Sequence, residues 1–170
     1  MGERQSKFSI TTSYVVQILG LESKDIDIAL DDMQGNDFAI LINDYLNKEQ
    51  KEDKKRFGVI KANAEKKKFL EIANVHIEGN IIDLVSLRSV TYFADSDQPL
   101  VKIGTPEEDV LRRDLTINSL FYNINEAKVE DFTGKGLSDL KEKILRTPMK
   151  PEETLNNNPV VLLRTARFAS

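Results

Sequence analysis

The sequence contains no cysteine and a single histidine, His76, and these two scarcities exclude several kinds of chemistry. Without cysteine the chain has no disulfide, no thiolate zinc site and no cysteine nucleophile. One histidine argues against a histidine-based metal site or a catalytic triad, and we expect His76 to be a structural or exposed residue. Any catalysis must therefore rely on other side chains.

Positive charge and long apolar runs are also scarce. Lys and Arg number 24 against 28 Asp and Glu, a net charge of -4, so any contact with nucleic acid must use a local patch. No apolar run approaches the ~20 residues that a membrane span needs, and the N-terminus lacks the pattern of a secretory signal. We expect no membrane partner and a cytoplasmic or nuclear location.

The remaining composition is that of a globular domain. The chain has 170 residues, of which 40% are hydrophobic and 31% charged; this length suits one domain, or one domain and the start of a second. We expect residues 1–150 to form an α/β (α+β) unit. Residues 151–170 are expected to form a polar linker, at 151–158, and the start of a helical region.

Period-two patterns predict strands. Acidic and apolar residues alternate over 24–30, and residues 69–77 and 81–87 flank the turn at 78–80, which predicts a hairpin. A last strand is predicted at 144–145 and a loop at 91–102. The type of the segment 8–21 stays open. The sheet is therefore expected to be mixed or largely antiparallel.

Helix start signals occur at three places. Residues 35–37 offer cap chemistry before apolar residues at helical spacing, and Asn158 precedes a predicted helix at 159–169. The run Thr105-Pro106-Glu107-Glu108 has the form of a capping box, and the helix that follows is predicted to carry residues 112–114.

Three aspartates occur in predicted strands. Asp25 and Asp27 are two residues apart, on one side of a strand, so both carboxylates can reach one Mg²⁺ ion. Asp83 interrupts an apolar strand, where an acid needs a partner. If the two strands are neighbours, three carboxylates converge. The alternatives are a polar outer face for the pair and a salt bridge from Asp83 to Arg88.

Basic and amide side chains cluster further along the chain. Arg112, Arg113, Asp114 and Asn118 combine groups that bind phosphate with groups that bind sugar hydroxyls. Arg164 and Arg167, three residues apart, have the same potential for phosphate contact. The alternative for both clusters is a solvated surface with internal ion pairs.

Five segments of the chain, in this order, resemble the class II tRNA nucleotidyltransferases. These are the CCA-adding enzymes and the bacterial poly(A) polymerases of the DNA polymerase β superfamily, and the match is to the eukaryotic branch. The segments that carry the resemblance are residues 20–28, 82–88, 104–120, 129–140 and 163–170.

The resemblance implies roles for the singled-out residues. Asp25 and Asp27 match a metal-binding pair, and the cluster from Arg112 to Asn118 matches a motif that contacts the nucleotide. Arg164 and Arg167 match arginines near the triphosphate, and Asp83 and Arg88 match accessory positions beside the catalytic centre. The implied fold is a catalytic head with a mixed sheet of about five strands, flanked by helices, followed by the first helix of a helical neck.

The implied reaction is Mg²⁺-dependent, template-independent transfer of CMP and AMP from CTP and ATP to the 3′ end of tRNA. Relatives act in the cytoplasm, nucleus and mitochondrion. The sequence departs from the family at residues 11–16, where Thr11-Thr12 replaces a glycine pair, and at residues 157–161, which lack two acids and an arginine. By the resemblance, we also expect these 170 residues to lack the family's element that reads the base. The alternative is an inactive remnant that keeps nucleotide or RNA binding.

Overall fold

The computed structural model describes residues 8–10, 26–30, 33–51, 54, 56–60, 72–93 and 96–170. The strands are β1 (Phe8–Ile10), β2 (Ile26–Leu30), β3 (Phe57–Ile60), β4 (Ile72–Ile77), β5 (Asn80–Ser86), β6 (Arg88–Phe93), β7 (Ser96–Ile103), β8 (Leu120–Asn123) and β9 (Lys128–Asp131). The helices are α1 (Gly35–Gln50), α2 (Pro106–Leu111), α3 (Gly136–Glu142), α4 (Pro151–Asn157) and α5 (Val160–Ala169), with a 3₁₀ helix at Thr116–Ser119.

Seven of these strands form one mixed sheet, in the order β3-β4-β5-β2-β1-β8-β9. Strands β2 and β5 are parallel, and the other neighbours are antiparallel. The mixed α+β architecture is confirmed, but the described sheet is larger than the expected five strands. The predicted hairpin is also confirmed, and its turn places Glu78 and Gly79 at φ 48° and 83°, as a tight two-residue turn requires.

The two faces of the sheet have different neighbours. One face presents Leu30, Val75 and Leu84 to α1, with Ala39 of that helix buried between them. On the opposite face, Ala29, Leu87, Val110 and Phe121 form a second core cluster. Because side chains alternate along a strand, Asp27 lies on the same face as Ala29. The cluster beneath α1 therefore packs against one face of β2, and the second cluster lies on the face of β2 that carries Asp27.

Helix α2 is short and firmly capped. Thr105 Oγ1 accepts a hydrogen bond from the Glu108 amide at 3.3 Å, and Glu108 Oε2 accepts one from the Thr105 amide at 2.9 Å. This confirms the predicted capping box. The helix ends at Leu111 with Arg112 as its C-cap, so Arg113 and Asp114 lie in the turn after it and not on the helix as expected.

Several local predictions are wrong. The expected loop at 91–102 is instead the antiparallel ribbon β6–β7, whose register shifts between Thr91 and Phe93. Residues 151–157 form α4 where a linker was expected, and residues 144–145 form no strand. Neither α1 nor α5 has a side-chain cap. The division at residue 150 stays a prediction.

Parts of the N-terminal region lie outside the described residues. These include Asp25, Thr11, Thr12 and most of the segment whose type was left open; its residues 8–10 form β1. No helix within the described ranges has both the length and the apolar character needed to cross a membrane.

Candidate active site

A cleft of about 480 Å³ opens beside the second core cluster, and it brings together residues from distant parts of the chain. Strand β2 contributes Asp27, the β5–β6 corner contributes Arg88, and α5 contributes Arg164. The full lining is Asp27, Val85, Arg88, Arg112, Arg113, Asp114, Asn118, Asn158, Val160 and Arg164. Seven of the ten residues singled out in the sequence therefore meet in one place.

The acidic side of the cleft is built by the parallel pairing of β2 and β5. Asp27 is in register with Asp83, so their side chains share a face of the sheet. Asp83 is in turn in register with Asn74, whose Oδ1 accepts a hydrogen bond from the Gly58 amide at 3.2 Å. The predicted adjacency of the two strands is confirmed. Asp25, the third expected carboxylate, lies outside the described residues, and within them no three acidic or histidine side chains form a metal-binding group.

The basic side of the cleft is organised by Asp109, which the sequence reasoning did not single out. This carboxylate is 1% exposed. Its Oδ1 accepts hydrogen bonds from Nε and Nη2 of Arg112, at 2.8 and 2.6 Å, and from the Arg88 amide at 2.9 Å. Its Oδ2 lies 2.9 and 2.8 Å from Nε and Nη2 of Arg113. One buried acid thus fixes two arginines and the strand end that carries a third.

Arg113 is held on every side. Its Nη1 donates to the carbonyl oxygen of Asn118 at 2.8 Å, and its guanidinium lies 4.5 Å from the ring centre of Phe121. Burial lowers the pKa of Arg113, while the charge of Asp109 and, less strongly, that of Asp27 oppose the shift. This guanidinium forms a rigid part of the cleft wall.

Arg88 has an incomplete set of partners. Its Nε is buried and makes no hydrogen bond with the described residues. Burial lowers the pKa of Arg88, and the nearby charge of Arg112 lowers it further. A buried donor without a partner is costly, so an acceptor that enters the cleft beside Arg88 would be stabilising.

Asp114 links the turn after α2 to α5. Its Oδ1 accepts from the Leu115 amide at 2.8 Å and from Asn118 Nδ2 at 3.1 Å. Its Oδ2 accepts from Arg164 Nε at 2.5 Å, across 50 residues of sequence. Asp114 is 9% exposed and Arg164 44%, so the ion pair lies at the mouth of the cleft.

Two of the singled-out residues with described side chains do not line the cleft. Asp83 lies beside Asp27, in register on the neighbouring strand β5. Arg167 is exposed on α5, with its guanidinium 5.4 Å from the ring of Phe168. Asn158 and Val160 do line the cleft and were not predicted as site residues; the only signal in the sequence is that both lie in the segment 157–161, which departs from the family.

The charge balance of the cleft is opposite to that of the chain. Four arginines and two aspartates line it, whereas the whole sequence has a net charge of -4. Guanidinium groups suit the oxygens of phosphate, and Asp27 of β2 lines the same cleft. The arrangement suits a polyphosphate ligand beside a carboxylate that can bind a hard cation.

The fold is that of the nucleotidyltransferase head of CCA-adding enzymes. A solved CCA-adding enzyme in an apo form superposes with a TM-score of 0.74, at 24% sequence identity, over 96% of this chain and 35% of that one. The sequence defines the family more closely. The Poly A polymerase head domain family matches residues 16–146, and the chain belongs to it.

Two curated relatives are similar over nearly the whole chain. The mitochondrial CCA tRNA nucleotidyltransferase of Saccharomyces cerevisiae is 46% identical over 157 residues, which is 91% of this chain and 29% of that protein. The tRNA nucleotidyltransferase cca1 of Schizosaccharomyces pombe is 45% identical over 154 residues, 91% of this chain and 31% of that protein. The chain thus spans about a third of the length of these relatives.

Proposed function

We propose that this chain is the catalytic head of a CCA-adding tRNA nucleotidyltransferase, transferring CMP and AMP from CTP and ATP to the 3′ end of tRNA. The observation that carries the proposal is the cleft in which Asp27 faces Arg88, Arg112 and Arg113. It is supported by two relatives, 46% and 45% identical over the aligned residues, that are named as tRNA nucleotidyltransferases.

The acidic side fits a divalent cation. The carboxylate of Asp27 lines the cleft beside a strand that bears Asp83 in register, and oxygen donors are what Mg²⁺ prefers. Asp27 would hold the ion together with Asp25, as the alternating sequence predicts. When bound, Mg²⁺ activates an attacking hydroxyl and neutralises charge on the leaving pyrophosphate.

The basic side would bind the nucleotide. Arg112 and Arg113 hold fixed positions from which their outer N–H groups can donate to phosphate oxygens. The unpartnered Nε of Arg88 is a further donor toward the same space. Asp114 and Asn118 would bind ribose hydroxyls, and Arg164 would move from Asp114 to the triphosphate. Arg167, further along α5, is proposed as an additional contact to the nucleotide.

The tRNA 3′ end is the proposed acceptor. Both relatives are named as tRNA nucleotidyltransferases, which supports tRNA as the partner. The S. cerevisiae relative is named a mitochondrial protein, and we propose a mitochondrial or cytoplasmic location for this chain.

The proposal is tested by incorporation of labelled CMP and AMP into a tRNA transcript that lacks its CCA end. The 170-residue chain is compared with Asp25→Ala/Asp27→Ala and with Asp44→Ala, which removes an exposed acid on α1 far from the cleft. We expect incorporation by the wild type and by Asp44→Ala, and at least a hundredfold loss in the double variant.

Equal incorporation by the double variant would refute the assignment of the site. Nucleotide binding by the wild type without any incorporation would support the inactive remnant instead. Incorporation of AMP with no use of CTP would indicate a poly(A) polymerase.

A further inference from the structure

Asp109 is the most enclosed ionised group beside the cleft, yet it does not line the cleft. Its side-chain oxygens accept hydrogen bonds from three residues that do line the cleft. Asp109 accepts hydrogen bonds from Nε of Arg112, from Nε of Arg113 and from the backbone amide of Arg88. The side-chain bonds are charge-assisted and measure 2.6 to 2.9 Å, which is the range of strong, directional pairs.

The direction of these bonds determines what the arginines can offer. Arg112 uses Nε and Nη2 on one carboxylate oxygen, so its Nη1 takes part in neither bond. Arg113 uses Nε and Nη2 on the other oxygen and Nη1 on the Asn118 carbonyl. Each guanidinium therefore has one edge fixed, and its remaining hydrogens face away from Asp109.

We propose that Asp109 is a positioning residue for the nucleotide: it presets the guanidinium groups of Arg112 and Arg113 and the strand end that carries Arg88. This inference rests on the proposed function. An arginine without such an anchor samples many rotamers, and ordering it on binding costs conformational entropy. Asp109 removes that cost before the nucleotide arrives.

Simple electrostatics predicts the opposite change in affinity, so the direction of the change distinguishes the two explanations. Asp109 is negative and lies next to the groups that would bind phosphate, so removing its charge makes the cleft more positive. By charge alone, Asp109→Asn would bind a polyanion more tightly. By positioning, it would bind more weakly, since the amide cannot accept from both arginines and all three contacts loosen.

Asp139 supplies a matched control. It is also a buried aspartate, 2% exposed, and it also accepts from an arginine, Arg146, at 3.1 Å, and from the Thr116 hydroxyl at 2.7 Å. It ties α3 to the 3₁₀ helix and does not line the cleft. Asp139→Asn therefore reproduces the loss of a buried, ion-paired acid without touching the nucleotide contacts.

The experiment measures the affinity of the 170-residue chain for CTP with Mg²⁺ and for inorganic tripolyphosphate, by titration calorimetry. We expect Asp109→Asn to weaken both about 10- to 100-fold, the usual effect of removing a group that orients a binding residue. Asp139→Asn should leave both unchanged although its thermal stability falls. Arginine Nε–Hε signals in ¹⁵N NMR should weaken for Arg112 and Arg113 in the first variant and for Arg146 in the second.

Unchanged or tighter tripolyphosphate binding by Asp109→Asn would overturn the inference, and so would an equal loss in Asp139→Asn. If Asp109→Asn does not fold, Asp109→Glu keeps the charge but shifts it by one methylene, and an affinity equal to that of the wild type would overturn the inference. If the wild type and Asp109→Asn bind CTP and incorporate CMP equally well, only the positioning role is refuted. A wild type that binds neither probe refutes the proposed function as well.

Discussion

The contact between Arg113 and Phe121 allows a sharp prediction about stability. Phe121 is 1% exposed, and its ring meets two partners: Phe132, edge to face with centres 5.8 Å apart, and the guanidinium of Arg113 at 4.5 Å. Phe121→Leu removes both contacts. Phe132→Leu removes the ring pair and leaves the cation contact in place.

The expected free energies follow from these two contacts. An edge-to-face pair contributes about 0.5–1.5 kcal/mol, and a partly desolvated cation–ring contact contributes about 0.5–2 kcal/mol. Since burial lowers the pKa of Arg113, the cation contact is expected in the upper half of that range. Phe121→Leu should therefore lower the free energy of unfolding by about 1–2 kcal/mol more than Phe132→Leu does.

Urea denaturation of the two variants and the wild type, followed by circular dichroism, measures the difference. CTP titration of the same samples adds a second measure, because only Phe121→Leu removes a support of Arg113 and should weaken binding. Equal losses of unfolding free energy in the two variants would contradict this prediction, because they would show that the cation contact contributes nothing measurable.

Three further predictions concern single contacts. Thr105→Ala should cost about 1 kcal/mol of unfolding free energy by loss of the capping box, and Thr105→Ser should restore it; an unchanged melting temperature for Thr105→Ala would contradict this. Gly35→Ala should cost about 1–3 kcal/mol, since a Cβ there would lie 2.5 Å from the Leu84 carbonyl oxygen, whereas Asn36→Ala should cost little; thermal unfolding compares them. Desolvation raises the pKa of Asp139, but hydrogen bonds from Thr116 and Arg146 outweigh it and lower the pKa below the ordinary 3.8. Because the pKa of Asp139 is lower in the folded state, its contribution to the free energy of unfolding is present above pH 3.8 and is lost as the pH falls through the folded pKa. Acid titration of stability should show this loss in the wild type and not in Asp139→Asn.

Sequence patterns predicted the parts of the fold that depend on local chemistry. The alternation predicted that Asp27 and Ala29 lie on one face of the strand and Ile28 and Leu30 on the other face, and the structure confirms this. The capping box was equally local, since its two hydrogen bonds join residues three apart. In both cases the residues that determine the conformation lie within a few positions of one another in the sequence.

The failures share a different origin. Pro99 favoured a loop at 91–102, but β7 belongs to a two-stranded ribbon, where each strand has an unpaired edge and the register is irregular near the proline. A proline that donates no hydrogen bond is tolerated there. The polar composition of 151–157 favoured a linker, but Pro151 at the first turn suits a helix start.

Asp109 was missed although its signal is present in the sequence. It lies three and four residues before Arg112 and Arg113, the spacing that brings side chains together on a helix. The capping box accounts for Glu108 and leaves Asp109 as the acid without a local role. What sequence could not show is its burial, which follows from packing of α2 against the second core, where Val110 is also buried.

Two aspartates, Asp109 behind the cleft wall and Asp114 in the cleft lining, hold the arginines of the cleft with different strength. Asp109 is enclosed and accepts from three groups, so separating it from its arginines would leave a buried charge unpaired, at a cost of about 3–5 kcal/mol. The guanidinium of Arg164 is 44% exposed, and without it Asp114 still accepts hydrogen bonds from the Leu115 amide and from Asn118 Nδ2. Separating this pair therefore costs less than separating Asp109 from its arginines. In the proposed site, Arg112 and Arg113 would fix where anionic groups bind, and Arg164 on α5 would be the arginine that adjusts to the bound group.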